Sequence, residues 1–455
     1  MTKPPPAPPL LRDSRKLLLG TADEQAARHV EEALRRMMAF DADPLTELGS
    51  AHDADPQWLL PLVMRAGHLL SLRDHGHDHE IGLLLEQAQA LSQDAVDRER
   101  IHLAAVAALA EGRWHHACRL WDELLLDQPR DALALLWAHE WDLVRGDTVQ
   151  LRQRPAQALP EWDEADPLYP YALGLYAFGL QENNLFPLAE DMGHRATTAP
   201  GRPVPWAVHA VAHVMEMQGR CEDGAAWLRH HQPGWAEGSL LAGHLWWHMG
   251  LFRLEAMDMA GAQRLVDAHF SRPALNSALR RMDAASLLWR MQLLGMDVQA
   301  CFAQLVDAWP LGKDEAGWHA FHDVHGVLAL LGAGEPGRAE QWLGRCAARA
   351  FEPEDVRRSN HLPAREVGLP LMRGLLAFAR GEFAQALAAL HALRPQAWRL
   401  GGSQAQRDLI DQTLLAAAAR LGGHPVGRAL LNERRLARAL TPLTRHWAQH
   451  LQIDL

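Results

Sequence analysis

The sequence predicts an all-α chain, a tetratricopeptide-like α-solenoid of helical hairpins, either open or strongly curved or closed around a central polar cavity. Three observations predict it. Strand signals are nearly absent, because β-branched alternation and hairpin-turn dipeptides hardly occur. Ala, Leu, Arg, Glu and Gln dominate, with apolar residues at helical spacing. Two separated segments repeat one pattern of small, aromatic and proline residues at matching offsets.

The elements follow in chain order. "MTKPPPAPPLLRDSRK" is proline-rich where a signal peptide needs a continuous apolar core, so residues 1–20 read as a flexible leader of polyproline character. Residues 21–455 read as one repeat domain, clearest near 98–131 and 367–400. In the first of these Ala105, Gly112, Trp114, Ala117 and Pro129 stand at tetratricopeptide spacing. In the second, Gly374, Gly381, Phe383, Ala386 and Pro395 repeat it. Between them the helical rhythm breaks at Asn183 and Asn184, Gly219, Arg253 and Gly295. The total is about eight to ten hairpins at the usual repeat length. "RQRPAQALPEWDEADPLYP" and "RAFEPEDVRRSNHLPAREVG", rich in Pro and charge, read as long connections.

Composition excludes several classes. The 455 residues are 48% hydrophobic and 22% charged, enough to bury a large core. The 45 Lys+Arg against 56 Asp+Glu leave −11, and no basic block argues for nucleic acid or anionic lipid. No apolar run suits a bilayer. Four dispersed cysteines suggest neither a disulfide framework nor a thiolate zinc knot, which fits a reducing, cytoplasmic setting.

The chemistry-bearing residues follow the repeat. In "WAVHAVAHVMEMQGR" His209 and His213 stand one helical turn apart, and "HLWWHMG" repeats the spacing with His244 and His248. Each histidine of the second pair lies 35 residues beyond its counterpart, close to one repeat unit, and Asp283 lies 35 beyond His248, with Ser286 three further on. With Gly219 as the turn, both pairs fall on the inner, concave stripe, together with Gln181, Glu182 and Glu216. A third cluster, His319, His322, Asp323 and His325, follows. His139 and Asp142 form a further pair, and "GGSQAQRD" combines a capping box, Ser403 with Gln406, with Arg407 in the first turn.

Two chemistries fit these residues. Imidazoles four apart on neighbouring helices, with Glu216 or Asp283, could ligate a divalent metal such as zinc. Without metal, His209 or His213 would act as general base, with Glu182 or Glu216 fixing its tautomer and Arg407 receiving an anionic group. Trp247, Asp283, Asp323 and His325 would contact the substrate. The bland alternative is that single histidines bond between helices and that the 17 tryptophans pack hairpins.

The segments "YAFGLQENN…AEDMGHRA", "HAVAHVMEMQGR…GAAWL", "HLWWHMGLF", "DAASLLWR", "FHDVHGVLAL" and "GGSQAQRD", in that order, resemble the tetratricopeptide repeat protein 38 family over most of the chain. One departure is Gln404, where the family usually has histidine after the serine of "GGS". The resemblance implies the fold and transfers no activity. The expectation for function is therefore a concave surface that binds a partner peptide or small ligand, or an enzyme whose histidine and carboxylate cluster acts on a small molecule.

Overall fold

The structure, a computed structural model, describes residues 9–41, 43–199, 201–312, 315–352 and 358–454. Helices form eleven successive pairs among them. These are α1 (Glu24–Met38) with α2 (Leu45–Ala54), α3 (Leu60–Ser71) with α4 (Asp78–Ala90), α5 (Asp97–Ala110) with α6 (Trp114–Asp127), and α7 (Ala132–Arg145) with α8 (Thr148–Ala158). Next come α9 (Tyr169–Glu182) with α10 (Phe186–Thr198), α11 (Pro205–Met217) with α12 (Cys221–His231), α13 (Ala242–Glu255) with α14 (Met259–His269), and α15 (Ala278–Leu293) with α16 (Gln299–Ala308). Then α17 (Ala320–Gly332) packs on α18 (Pro336–Ala350). The short α19 (His361–Pro363) runs through a π-turn into α20 (Leu369–Ala379), paired with α21 (Phe383–Leu393). Last are α22 (Gln404–Arg420) with α23 (Pro425–Ala437), and α24 (Pro442–His450). Among the described residues there is no strand, only the isolated bridges Arg12–Leu18 and Asp41–Ser239.

One left-handed residue turns every pair: Phe40, Arg73, Gly112, Gly146, Asn184, Gly219, Met257, Gly295, Gly334, Gly381 and Gly422. That conformation at a helix end lets backbone N–H groups reach the last free carbonyls, and glycine adopts it without strain. At Phe40, Arg73 and Met257 a side chain accepts it at a cost of about 1–2 kcal/mol. These three turns carry no glycine or asparagine signal. They account for two corrections: there are eleven pairs where eight to ten are expected, and α13 runs on through Arg253 to Glu255, turning at Met257.

The first and second helices of the pairs differ in what they bury. All thirteen residues of α11 are buried, and α17 is buried along its whole length. By contrast α18 buries only Ala339, Trp342, Cys346 and Ala350, one stripe. A helix apolar all round belongs inside and a one-striped helix lies outside, so the first helices form an inner layer. Two apolar clusters fill the interior, and they meet at α11 and α13, where Leu245 and Met249 join one and Trp247 and Leu251 the other.

Early and late pairs also touch. Gly402 N donates to Leu143 O at 3.0 Å, and a Cβ on Gly146 would collide with the Trp398 carbonyl. Gln404 N donates to Glu182 at 3.0 Å, and Ala439 N to Gln218 O at 2.9 Å. From α15, Trp289 Nε1 reaches Thr413 Oγ1 at 3.0 Å, and Arg290 reaches Ala405 O at 2.8 Å.

Of the expected flexible leader, residues 1–8 lie outside the described residues. Residues 9–20 are packed: Arg15 is buried and bonds Glu31 at 2.8 Å, and Gly20 N donates to Glu99 at 2.8 Å. Most of "RQRPAQALPEWDEADPLYP" is likewise structured, since α8 continues through Pro155 to Ala158. In the second long connection, residues 353–357 lie outside the described set, and its end from His361 is helical.

Candidate functional site

The four histidines converge. One ring nitrogen from each of His209, His213, His244 and His248 lies within 4.8 Å of the others. The i, i+4 spacing puts each pair on one helix face, and the contact of α11 with α13 sets the faces together. His209 and His213 Nε2 stand 2.9 Å apart. His213 and His248 have no exposed surface.

Two carboxylates hold the second pair. His244 Nδ1 lies 2.9 Å from Asp283 Oδ1, and His248 Nδ1 lies 2.8 Å from Glu216 Oε2. With the acids ionised, this arrangement fixes the proton on Nδ1 and aims the Nε2 lone pair away from the acid, as in carboxylate–histidine–metal sites. Aromatic rings fix the planes: Phe178 stacks on His209 at 5.2 Å and Trp247 on His244 at 5.0 Å.

Burial, then neighbouring cationic groups, push His209, His213 and His248 well below the usual imidazole pKa, so they are neutral at neutral pH. Burial also pushes Glu216 up to about 8. A cation at the centre would reverse that effect and draw the proton from Glu216. His209 Nδ1, His213 Nδ1 and His248 Nε2 are buried without a hydrogen-bond partner. Buried nitrogens normally find one; an ion beside the His209 and His213 Nε2 atoms would engage His248 Nε2, whereas the two Nδ1 atoms point away from that gap.

The ring spacing bears on geometry. With metal–nitrogen bonds of about 2.0–2.1 Å, ligands at right angles stand about 2.9 Å apart and tetrahedral ones about 3.3 Å. The His209–His213 pair matches the former, whereas separations of up to 4.8 Å in the group exceed the about 4.2 Å that two such bonds can span, so the rings would draw in to hold one ion.

Two of the four rings border a chamber of ≈ 100 Å³. His209, His244 and Asp283 line it, as do Arg73, Glu140, Arg280 and His319. Arg73 comes from the turn after α3, Glu140 from α7 and Arg280 from the first turn of α15. None of these three stands out in the sequence, where the repeat draws attention to histidines. A turn located at Arg73 by the roughly 38-residue spacing from Gly112 is the signal that would have found it.

The other sequence candidates go elsewhere. Glu182 accepts from Gln404 N, Gln181 and Arg407, and among the described residues it bonds no histidine. It therefore caps α22, where the Ser403–Gln406 capping box also forms. Arg407 is tied to Glu182 and to the carbonyls of Gly401 and Gly402, beside a separate surface cleft. Glu216 and Asp283 contact the outer nitrogens of His248 and His244, and so stand behind the ligands that they were expected to join. Trp247 has no exposed surface and lies beneath the Arg290 guanidinium at 5.5 Å.

The third cluster disperses. Asp323 accepts from Gly317 N at 2.8 Å, facing α18, and burial pushes its pKa up to about 7. His325 Nδ1 donates to Phe321 O at 2.7 Å, and His322 stands edge-on to Trp309. Only His319 reaches the chamber wall, with Nε2 on Val144 O at 3.2 Å. His139 lies between Phe178 and Trp206 with both nitrogens unpartnered, whereas Asp142 turns to Arg145 and Arg154.

No protein-family model matches the chain. No helix among the described residues is long and apolar enough to cross a membrane.

Proposed function

We propose that the protein is a metal-dependent enzyme of small-molecule chemistry, with a divalent transition ion held by His209, His213, His244 and His248. The observation that carries this reading is the convergence of four imidazole nitrogens within 4.8 Å, two of them backed by carboxylates. Four nitrogen donors suit zinc, iron, nickel or copper. The ion would act as a Lewis acid on a ligand in the chamber. Asp283 and Glu216 orient the rings, and the apolar walls exclude water.

The eleven pairs belong to a tetratricopeptide-like α-solenoid on this reading, and its late pairs close against the early ones. The resemblance to the tetratricopeptide repeat protein 38 family supports that architecture. The peptide-scaffold alternative is less favoured, because a docking groove needs exposed side chains and the convergent residues are buried. Dispersed free cysteines support a reducing, cytoplasmic setting.

The test is metal content of untagged protein by mass spectrometry, with melting curves before and after chelation. About one ion per chain is expected, lost in the His209→Ala/His248→Ala variant, together with an ion-dependent rise in Tm that the variant lacks. Metal-free protein with no ion-dependent shift would overturn the reading.

A further inference from the structure

The chamber beside the histidine centre carries an unbalanced charge. Asp283 is hydrogen-bonded to His244, and its charge offsets part of that of Arg73 and Arg280 at longer range. Among the described residues, neither Arg73 nor Arg280 has a carboxylate within ion-pair distance. The single hydrogen bond of the Arg280 side chain is a long one, 3.4 Å, to His269 O, and Arg73 Nε is buried with no partner. Several other interior arginines are neutralised: Arg98 by Asp131, Arg154 by Asp142, and Arg434 by Glu255 and Asp408, while Arg290 is met by Ser286 and the Ala405 and Gln406 carbonyls. Glu140 shares the chamber, but burial holds its pKa up at about 7, so it offsets only part of the guanidinium charge. Unpaired cations in an enclosed space are costly. A divalent ion on the wall would add to the excess.

Size and walls narrow the occupant. The volume of ≈ 100 Å³ is well above the about 10–15 Å³ that a single water needs, and suits a small organic molecule. Phe40, Phe178, Trp206, Leu240, Leu241 and Phe321 make most of the surface apolar. Arg73 also lines a neighbouring cleft of ≈ 470 Å³ and so borders both spaces.

We propose that this chamber binds a small aliphatic or aromatic carboxylate, its charge received by Arg73 and Arg280 and its apolar body seated against the aromatic wall beside the histidines. A carboxylate matches the planar guanidinium fork with two parallel hydrogen bonds. A phosphate dianion would need more donors than these apolar walls supply. The inference deepens the metal-centre reading and rests on it for the identity of the reacting end.

The test is calorimetric titration with straight-chain carboxylates from acetate to octanoate and with benzoate, each against the alcohol and the phosphate ester of the same carbon skeleton. Wild type, Arg73→Gln and Arg280→Gln are compared, with metal content and Tm measured on every preparation. At least one carboxylate should bind one-to-one, about tenfold or more tighter than its alcohol, and each arginine variant should lose about tenfold at unchanged metal content. Equal affinity for the alcohol, tighter binding of the phosphate ester, no saturation by any carboxylate in the millimolar range, or wild-type affinity in both variants would overturn the proposal. Arginine-dependent carboxylate binding in metal-free protein would instead leave the anion site standing and remove the metal reading. If Arg73→Gln melts early because its strained turn is disturbed, Arg280→Gln, on a helix, carries the comparison alone.

Discussion

Two buried histidine clusters show what separates a structural network from a site. At His102, Nε2 meets Asp131 at 3.1 Å and Nδ1 accepts from Trp121 at 3.2 Å. Asp131 in turn binds Arg98 at 2.6 Å and caps α7 through Ala134 N. Both ring nitrogens are used, so the protein alone satisfies this imidazole. At His209, His213 and His248 the burial is equal, yet each ring keeps one nitrogen without a partner, and two Nε2 atoms face each other at 2.9 Å. Burial of a histidine therefore carries little functional information, whereas lone pairs converging on one point carry a good deal.

The contrast breaks most visibly in substitutions. Asp131→Ala strands the Arg98 charge in the interior and should cost about 3–5 kcal/mol in denaturant unfolding with metal content unchanged. His248→Ala should do the reverse: metal is lost, while the chelated variant unfolds close to chelated wild type. If both variants lose stability alike and neither changes metal content, the two clusters are of one kind.

A finer test touches one carboxylate. Asp283→Asn keeps the shape behind His244 and weakens the hold on its tautomer, so metal affinity should fall about 10- to 100-fold by competition with a chelator. An unchanged affinity would mean that Asp283 is only a packing residue.

Acid separates the clusters from bulk stability. Burial lowers His68 to about 4, and His139 and His322 to about 3. The unfolded chain takes up these protons near 6.5 while the folded chain resists, so their stability is full above about 6.5 and is lost as pH falls toward 4. Asp323 and Glu140, both raised to about 7, act in the opposite sense, losing stability as pH rises from about 4 to 7. A maximum near pH 6.5 with a fall on the acid side is expected in Tm measured across pH. A flat profile between pH 4 and 7 would contradict the burial of these groups. The smallest effect is Ser403→Ala, which removes the α22 cap and should cost about 1 kcal/mol.

Much of this was legible in sequence, for definite reasons. Gly112, Gly219, Gly295 and Gly381 mark their turns because the left-handed conformation favours glycine, and the 35-residue offset between histidine pairs follows from two inner helices packing in register. Where a side chain sits in that conformation, as at Met257, the mark vanishes. Helical position alone also misplaced Asp323 and Glu182. Asp323 stands four residues after His319, but His319 is the extended N-cap of α17 rather than part of its face and Asp323 is taken by Gly317 N, and Glu182 was claimed by the N-terminus of a helix more than two hundred residues later. That partner is invisible to any local pattern. The same holds for Arg73 and Arg280, which meet the histidines only because distant segments fold together.

The contacts between Leu143 and Gly402, Glu182 and Gln404, and Gln218 and Ala439 have a consequence for how the molecule can vary. Stacks whose units touch only their neighbours fray from the ends and tolerate gain or loss of a unit. Here the last units brace the middle ones, so melting should be cooperative across the chain, and excising any single unit between them would break these contacts. The count of units between the braced points is thereby locked, as an arch is locked to its count of stones.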